Sequence, residues 1–333
     1  MHPLFFEVVP EWKLKQIIDA QQLYSGYRSA VQEAEEYRGR LNWEKANGTQ
    51  YLVSTRYDGG VRQRKSLGPR NDQTEEIARL YTERATAVRE RRAALAEHMD
   101  RQVRINRALR LGIVPPNITR VLALIDKAGA AKHALVLGAN AMFAYAYAAS
   151  VTFAESIMPS GVEGPLRDSR SLLRIATCDP KGLHRIVQRR IPSFARVEGA
   201  PSLLLNHDGF GVEVIRRDAG YLPEGPDRIL GGDDDFWKAE VHDLGWLLSA
   251  PKFEQTVIST DGRMAVLTTV DPRAFGLFKT WLSEQTARDA ASRQRDYAQA
   301  TVVFRLIEEW LPQFALECSG QVLERAERAV RDA

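Results

Sequence analysis

The chain has 333 residues, 44% hydrophobic and 27% charged, which suits about two domains with a large core and excludes intrinsic disorder. Its 46 Lys and Arg against 43 Asp and Glu leave a net charge of +3, which excludes a surface built throughout for polyanions but not a local basic patch. Two cysteines, Cys178 and Cys318, exclude a disulfide scaffold and a cysteine zinc site, and six scattered histidines show no ligand spacing.

The start, Met1-His2-Pro3-Leu4-Phe5-Phe6, has no basic flank, and Glu7 and Pro10 break its apolar run, so no signal peptide is expected. Residues 7–48 are expected to be helical, with Ile17, Ile18, Leu23, Val31 and Tyr37 at loose helical spacing. A hairpin follows. Tyr51, Val53, Thr55 and Tyr57 alternate into Asp58-Gly59, and Val61, Gln63, Lys65 and Leu67 alternate back to Gly68-Pro69. A long helix is expected from Asp72, with Asp72 as cap and Glu75 as its capping-box partner. Ile77, Leu80, Tyr81, Val88, Leu95, Met99 and Val103 would form its apolar stripe, and Gly112 with Pro115-Pro116 would stop it.

From Asn117 the texture changes. A short helix (118–128) precedes a strand (133–137), a Gly138-Ala139-Asn140 turn and a helix (141–150). The 21 residues from Ala134 to Ala154 carry no charge, long enough for a membrane span. Gly138, Asn140, Ser150 and Thr152 interrupt them, so the prediction is a buried strand, turn and helix, with no membrane role. Reduced cysteines and the lack of an address predict a cytoplasmic protein. After an interruption at 159–165 come a strand (172–176), a helix (180–189) and strands at 202–206 and 212–215. Gly231-Gly232-Asp233-Asp234-Asp235 reads as a loop. A second hairpin is expected at 257–268 around Thr260-Asp261-Gly262, and helix from Pro272 onward, broken only at Pro312.

Four groups could carry chemistry. Arg56, Arg62, Arg64, Lys65 and Arg70 lie on or beside the first hairpin, and residues 51–111 hold 14 basic against 8 acidic side chains, a net +6. A two-stranded ribbon with such cations can sit on phosphates; the bland alternative is a solvated face. A strand running through Gly138 into a helix presents backbone N–H groups to an anion, although one glycine is no dinucleotide fingerprint. Asp233 to Asp235 could ligate a hard cation, but consecutive carboxylates cannot all face one point. Lys279, Arg288, Arg293, Arg295 and Asp296 could meet a triphosphate or simply face water.

Taken together, these residues resemble a family. Gly138-Ala-Asn140-Ala-Met-Phe-Ala-Tyr145 is similar to the glycine turn of a bacterial family of nucleotidyltransferase-fold proteins. That family belongs to the polymerase-β-like superfamily, with the abortive-infection toxins and the minimal nucleotidyltransferases. Lys65-Ser-Leu-Gly-Pro69 resembles the end of its N-terminal hairpin, and Asn106-Arg-Ala-Leu109 through Val114-Pro115 its linker. Asp168-Ser-Arg170 resembles the residues after its catalytic strand, and Asp208-Gly-Phe210 with Val212-Glu213-Val-Ile215 its third-carboxylate strand. Asp271-Pro-Arg-Ala-Phe275, Lys279, Trp281-Leu-Ser283, Arg295-Asp296 and Gln299-Ala300 resemble its helical tail, so the likeness spans about residues 50–315.

The resemblance implies three carboxylates, an Asp-x-Asp pair and a third from a neighbouring strand, holding two divalent cations that activate a hydroxyl and neutralise a triphosphate. In this register Val162 and Gly164 stand where the aspartates belong, with Glu163 between them, and Glu213 takes the third position. Candidate catalytic residues are therefore Glu213, Glu163 and Asp168, with Glu213 as metal ligand. Candidate nucleotide contacts are Gly138, Asn140, Lys279 and Arg295, with Ser292 where a second basic residue is expected.

The expected fold is α+β: a nucleotidyltransferase-like mixed sheet with helices, preceded by a hairpin and long helix and followed by a helical domain. Expected domains are 1–115, 116–270 and 271–333. The expected function is a nucleotidyltransferase-fold protein with a divergent, inactive metal site that acts by binding nucleotide, nucleic acid or protein. One alternative is an active enzyme using Mg²⁺ and a nucleoside triphosphate through Glu213 and a non-standard carboxylate. The other is a nucleic-acid module led by the hairpin 51–70. Without activity no cofactor is expected, and the oligomeric state stays open.

Overall fold

A computed structural model describes residues 6–58, 61–154, 157–158, 172–216, 244–286 and 288–314. The Gly231–Asp235 loop and the positions Val162, Glu163, Gly164 and Asp168 lie outside the described residues. The chain forms two compact units, residues 16–108 and residues 1–15 with 109–333. Among the described residues no helix is long and apolar enough to cross a membrane.

The chain begins with a short strand of the larger unit, β1 (Phe6–Val8), and the elements between Gln16 and Ala108 form the smaller unit. Helix α1 (Glu11–Glu36) follows, burying Ile17, Ala20, Tyr24 and Ala30. The expected helix over 7–48 thus stops early. Arg40–Ala46 is strand β2, paired antiparallel with β3 (Thr49–Asp58), which pairs in turn with β4 (Val61–Pro69). The predicted hairpin is two-thirds of a three-stranded sheet. The reason is Asn47-Gly48, whose φ angles of 50° and 81° give the doubly left-handed turn that joins twisted strands.

Helix α2 (Asp72–Ala108) is capped one residue earlier than expected. Asn71 Oδ1 accepts from Thr74 N, and Thr74 Oγ1 accepts from Asn71 N, both at 2.9 Å, a reciprocal capping box. Glu75 instead accepts from Arg70 at 2.7 Å. The expected apolar stripe is only partly inward: Val88 is buried, while Ile77 and Leu80 are 39% and 36% exposed. Exposed Arg79 bonds Glu76 and Glu83, so opposite charges one turn apart stabilise the outer face.

Helix α3 (Pro116–Lys127) leads into β5 (Ala134–Leu137), a short turn of helix (Gly138–Ala141) and α4 (Met142–Ala149). This is the buried strand, turn and helix that the sequence predicts. Strand β6 (Val151–Phe153), unpredicted, returns to pair with β1. Ser150 makes that reversal in the left-handed region, at φ 57°.

Then come β7 (Leu172–Thr177), α5 (Pro180–Arg190), another unpredicted strand β8 (Ala195–Val197), β9 (Ala200–Leu205) and β10 (Gly211–Arg216). The sheet order is β5-β7-β10-β9-β8. Only β7 and β10 run parallel, so the sheet is mixed and the fold is α+β, as expected. Helix α6 (Leu244–Ser249) precedes the second hairpin, β11 (Lys252–Ile258) and β12 (Met264–Val270). Helices α7 (Pro272–Glu284) and α8 (Ala290–Trp310) close the unit. The tail is thus broken between Glu284 and Ala290 as well as near Pro312: Gln285 turns extended and ends α7, and Asp289 caps α8, accepting from Ser292 N at 2.7 Å. Asp179-Pro180 and Asp271-Pro272 start α5 and α7 in the same way, the aspartate accepting a backbone N–H and the proline filling the first helical position.

One face of the sheet packs its Leu135, Leu137 and Ala176 against Met142, Tyr145, Val303 and Leu306 of α4 and α8. Tyr145 is fully buried and donates to Val270 O at 2.7 Å, and burial holds its phenol well above the usual range. Helix α5 packs on β7 and β10. Its His184 is fully buried and donates from Nε2 to Ser202 O at 3.3 Å. Burial brings this imidazole down to about 4, against the opposing Ser202 bond. The unfolded chain binds that proton more tightly, so stability falls as the pH drops from about 6.5 towards 4. Thermal melts across that window should decline for the wild type and decline less for His184→Gln.

Candidate functional site

Strand pairing brings the candidate residues to one level of the sheet. Leu137, the last residue of β5, pairs with Arg174 of β7, which pairs with Glu213 of β10. Gly138 therefore begins its turn beside Arg174. Its φ is +72°, and a Cβ there would meet nothing within 4 Å, so glycine is required by backbone conformation rather than by space. Asn140, 3% exposed, donates from Nδ2 to Leu172 O at 2.8 Å and ties the turn to the start of β7. Its Oδ1 is buried and has no partner among the described residues.

Glu213 alternates with buried Val212 and Val214, so its side chain lies on the opposite sheet face, the one that carries Arg174 and, two residues along β7, Ala176. Arg174 donates from Nε to Glu213 Oε2 at 2.6 Å. The carboxylate expected to ligand a metal is thus held by a guanidinium. Arg174 was invisible as a site residue from the sequence. Its one signal is a charge inside the apolar run Leu172-Leu-Arg-Ile-Ala-Thr177.

Lys279 of α7 is 8% exposed, and its Nζ donates to Asp296 Oδ1 of α8 at 2.5 Å. Arg288 donates to the other carboxylate oxygen, Oδ2, at 2.9 Å. Burial pulls the Lys279 ammonium below its ordinary range; Asp296 opposes this, while Arg288 and Arg174 add to it. Arg174 therefore lies within electrostatic reach of the buried pair. Arg295 donates to Ser292 Oγ at 3.1 Å, so the serine expected to weaken the tail is itself used. Glu163 and Asp168 lie outside the described residues.

Among the described residues, no group of three or more His, Cys, Asp or Glu side chains is placed to hold a metal ion, as a two-metal centre requires. Such a centre needs carboxylates with free lone pairs converging on each ion. Here Glu213 is bonded to a cation, and Asp296 carries two. Among the described residues, Arg174 pairs with Glu213, while Lys279 and Arg288 both pair with Asp296.

Of the basic hairpin residues, Arg64 is bonded to Glu44, and Arg70 to Glu75 and Gln50 while lying over the Trp43 ring at 5.2 Å. Arg56, Arg62 and Lys65 are exposed and make no ion pair among the described residues. Beside them, Tyr57 and Val61 are 64% and 66% exposed.

A family model described as Nucleotidyltransferase matches residues 117–323. No curated protein and no solved structure matches the chain.

Proposed function

We propose that this chain, which belongs to the nucleotidyltransferase family, has lost metal-dependent transfer and works by binding a nucleotide. The observation that carries this reading is the bond from Arg174 Nε to Glu213 Oε2 at 2.6 Å, which occupies the third carboxylate position with a cation. The resemblance adds Val162 and Gly164 at the other two positions, where neither side chain has an oxygen. A triphosphate with one Mg²⁺ is still anionic, and the lost second ion removes neutralisation that the transfer step needs. Gly138, Asn140, Arg174 and Lys279 are the residues nearest to a ligand in this reading.

Calorimetric titration with ATP, GTP, CTP and UTP tests it. Saturable heat with at least one of them is the expected result. Absence of heat with all four would reject nucleotide binding.

A second reading is favoured by the sheet of the smaller unit, where Arg56, Arg62 and Lys65 make no ion pair among the described residues and lie beside exposed Tyr57. Nucleic acid would meet these cations through its phosphates. Affinity for a duplex should then fall steeply with salt, with a slope of about −0.9 per phosphate contact, and Arg62→Ala should reduce that slope by about one. A flat salt dependence would remove this reading.

A further inference from the structure

We infer that Arg174 takes the place of a metal ion, so that this chain binds the phosphates of a nucleoside triphosphate without a divalent cation. The inference rests on the nucleotide-binding reading and deepens it. Three observations carry it.

First, the bond to Glu213 uses only the Nε–H of Arg174. A guanidinium has five N–H donors, and the four on its terminal nitrogens make no hydrogen bond among the described residues. The side chain is 52% exposed. Glu213 therefore acts as a positioning residue that fixes the plane of the fork and leaves its terminal nitrogens for two phosphate oxygens.

Second, the pairing register sets Arg174 next to the left-handed turn at Gly138, between β5 and β10. A ligand at that level meets the fork and the glycine turn together, with the open space over Gly138 available to it.

Third, among the described residues the Glu213 carboxylate is already engaged by Arg174, and the Asp296 carboxylate, whose partner Lys279 feels the charge of Arg174, by Lys279 and Arg288. An anion is attracted there, and a free divalent cation is not.

The sign of one substitution separates the two kinds of site. Glu213→Gln keeps an oxygen to accept from Arg174 Nε but removes a negative charge. If Arg174 holds the phosphates, this variant binds ATP about three- to ten-fold more tightly. If Glu213 is a metal ligand, the same variant loses binding. Arg174→Gln should weaken binding about ten- to hundred-fold, and Arg174→Lys should recover part of the loss. Both residues are partly exposed, so the variants should fold, which their thermal melts check.

The titration is run with ATP, GTP, CTP and UTP, once with Mg²⁺ and once with EDTA. Binding in EDTA that Arg174→Gln weakens and Glu213→Gln tightens supports the inference. Binding that needs Mg²⁺ and is lost in Glu213→Gln overturns it and leaves the nucleotide-binding reading standing. Binding in EDTA that ignores Arg174→Gln removes Arg174 from the site. No heat in either buffer overturns both the inference and the reading beneath it.

Discussion

Replacing Asp296 with Asn is expected to destabilise the larger unit by about 3–5 kcal/mol, because it strands a buried cation. Lys279 Nζ is 2.5 Å from the Asp296 carboxylate, and the two side chains are 10% and 3% exposed. Arg288 is 39% exposed and can return to water when the carboxylate is gone, but Lys279 cannot. In thermal melts the loss should appear as a drop of about 6–20 °C for a unit of this size.

The pH dependence has a definite sign. Burial already holds the folded Lys279 pKa below its unfolded value, and losing Asp296 lowers it further. Between the two values the unfolded chain binds the extra proton, so the variant regains stability as the pH rises through that window. The double variant Lys279→Met with Asp296→Leu should recover most of the loss, since a buried pair replaced by apolar groups of similar volume is often neutral or better. A double variant as unstable as Asp296→Asn would show that the pair contributes more than the removal of its own desolvation.

The second large effect is steric. A Cβ added at Gly112 would lie 1.8 Å from Ser259 O and 2.8 Å from Thr260 N, both backbone atoms. Ser259 is fully buried and pairs with Val114, while Thr260 N donates to Val114 O at 3.0 Å. Neither strand can retreat without losing those bonds. Gly112→Ala should therefore cost about 3 kcal/mol or more, at or beyond the upper end of ordinary overpacking. Gly26 makes the control. It lies inside α1 with nothing within 4 Å of an added Cβ, so Gly26→Ala should stabilise by about 0.5–1 kcal/mol. Opposite signs for one chemical change at two glycines would separate space from propensity in chemical unfolding.

Local signals were legible where they were strong. Asp58-Gly59 marks the β3–β4 turn, the two Asp-Pro pairs mark the starts of α5 and α7, and the uncharged run from Ala134 gives a strand, a turn and a helix. The missed strand β2 had a signal as well. Asn47-Gly48 is as strong a turn pair as Asp58-Gly59, and it outweighs the loose helical spacing upstream of it. The α2 cap moved by one residue because Asn71 is also a good cap, and its Thr74 partner completes the box. Short strands such as β1 and β6 are fixed by each other rather than by their own residues.

The site was less legible than the fold. Gly138 and Asn140 stand out locally because a turn must end the strand. The Arg174–Glu213 bond joins residues 39 apart and exists only because β7 and β10 run parallel in one register. No spacing rule reports that. The Lys279–Asp296 pair likewise depends on how α7 packs on α8, and the charges of that tail read equally well as a solvated face from sequence alone.

The central claim is that the third carboxylate position serves a cation of this chain and not a catalytic metal. The most direct test is pyrophosphate release from ATP, GTP, CTP and UTP with Mg²⁺ and the purified protein. No release above the protein-free control is the predicted result. Release that requires Mg²⁺ and disappears in Glu213→Gln would contradict it, and would make Glu213 a working metal ligand.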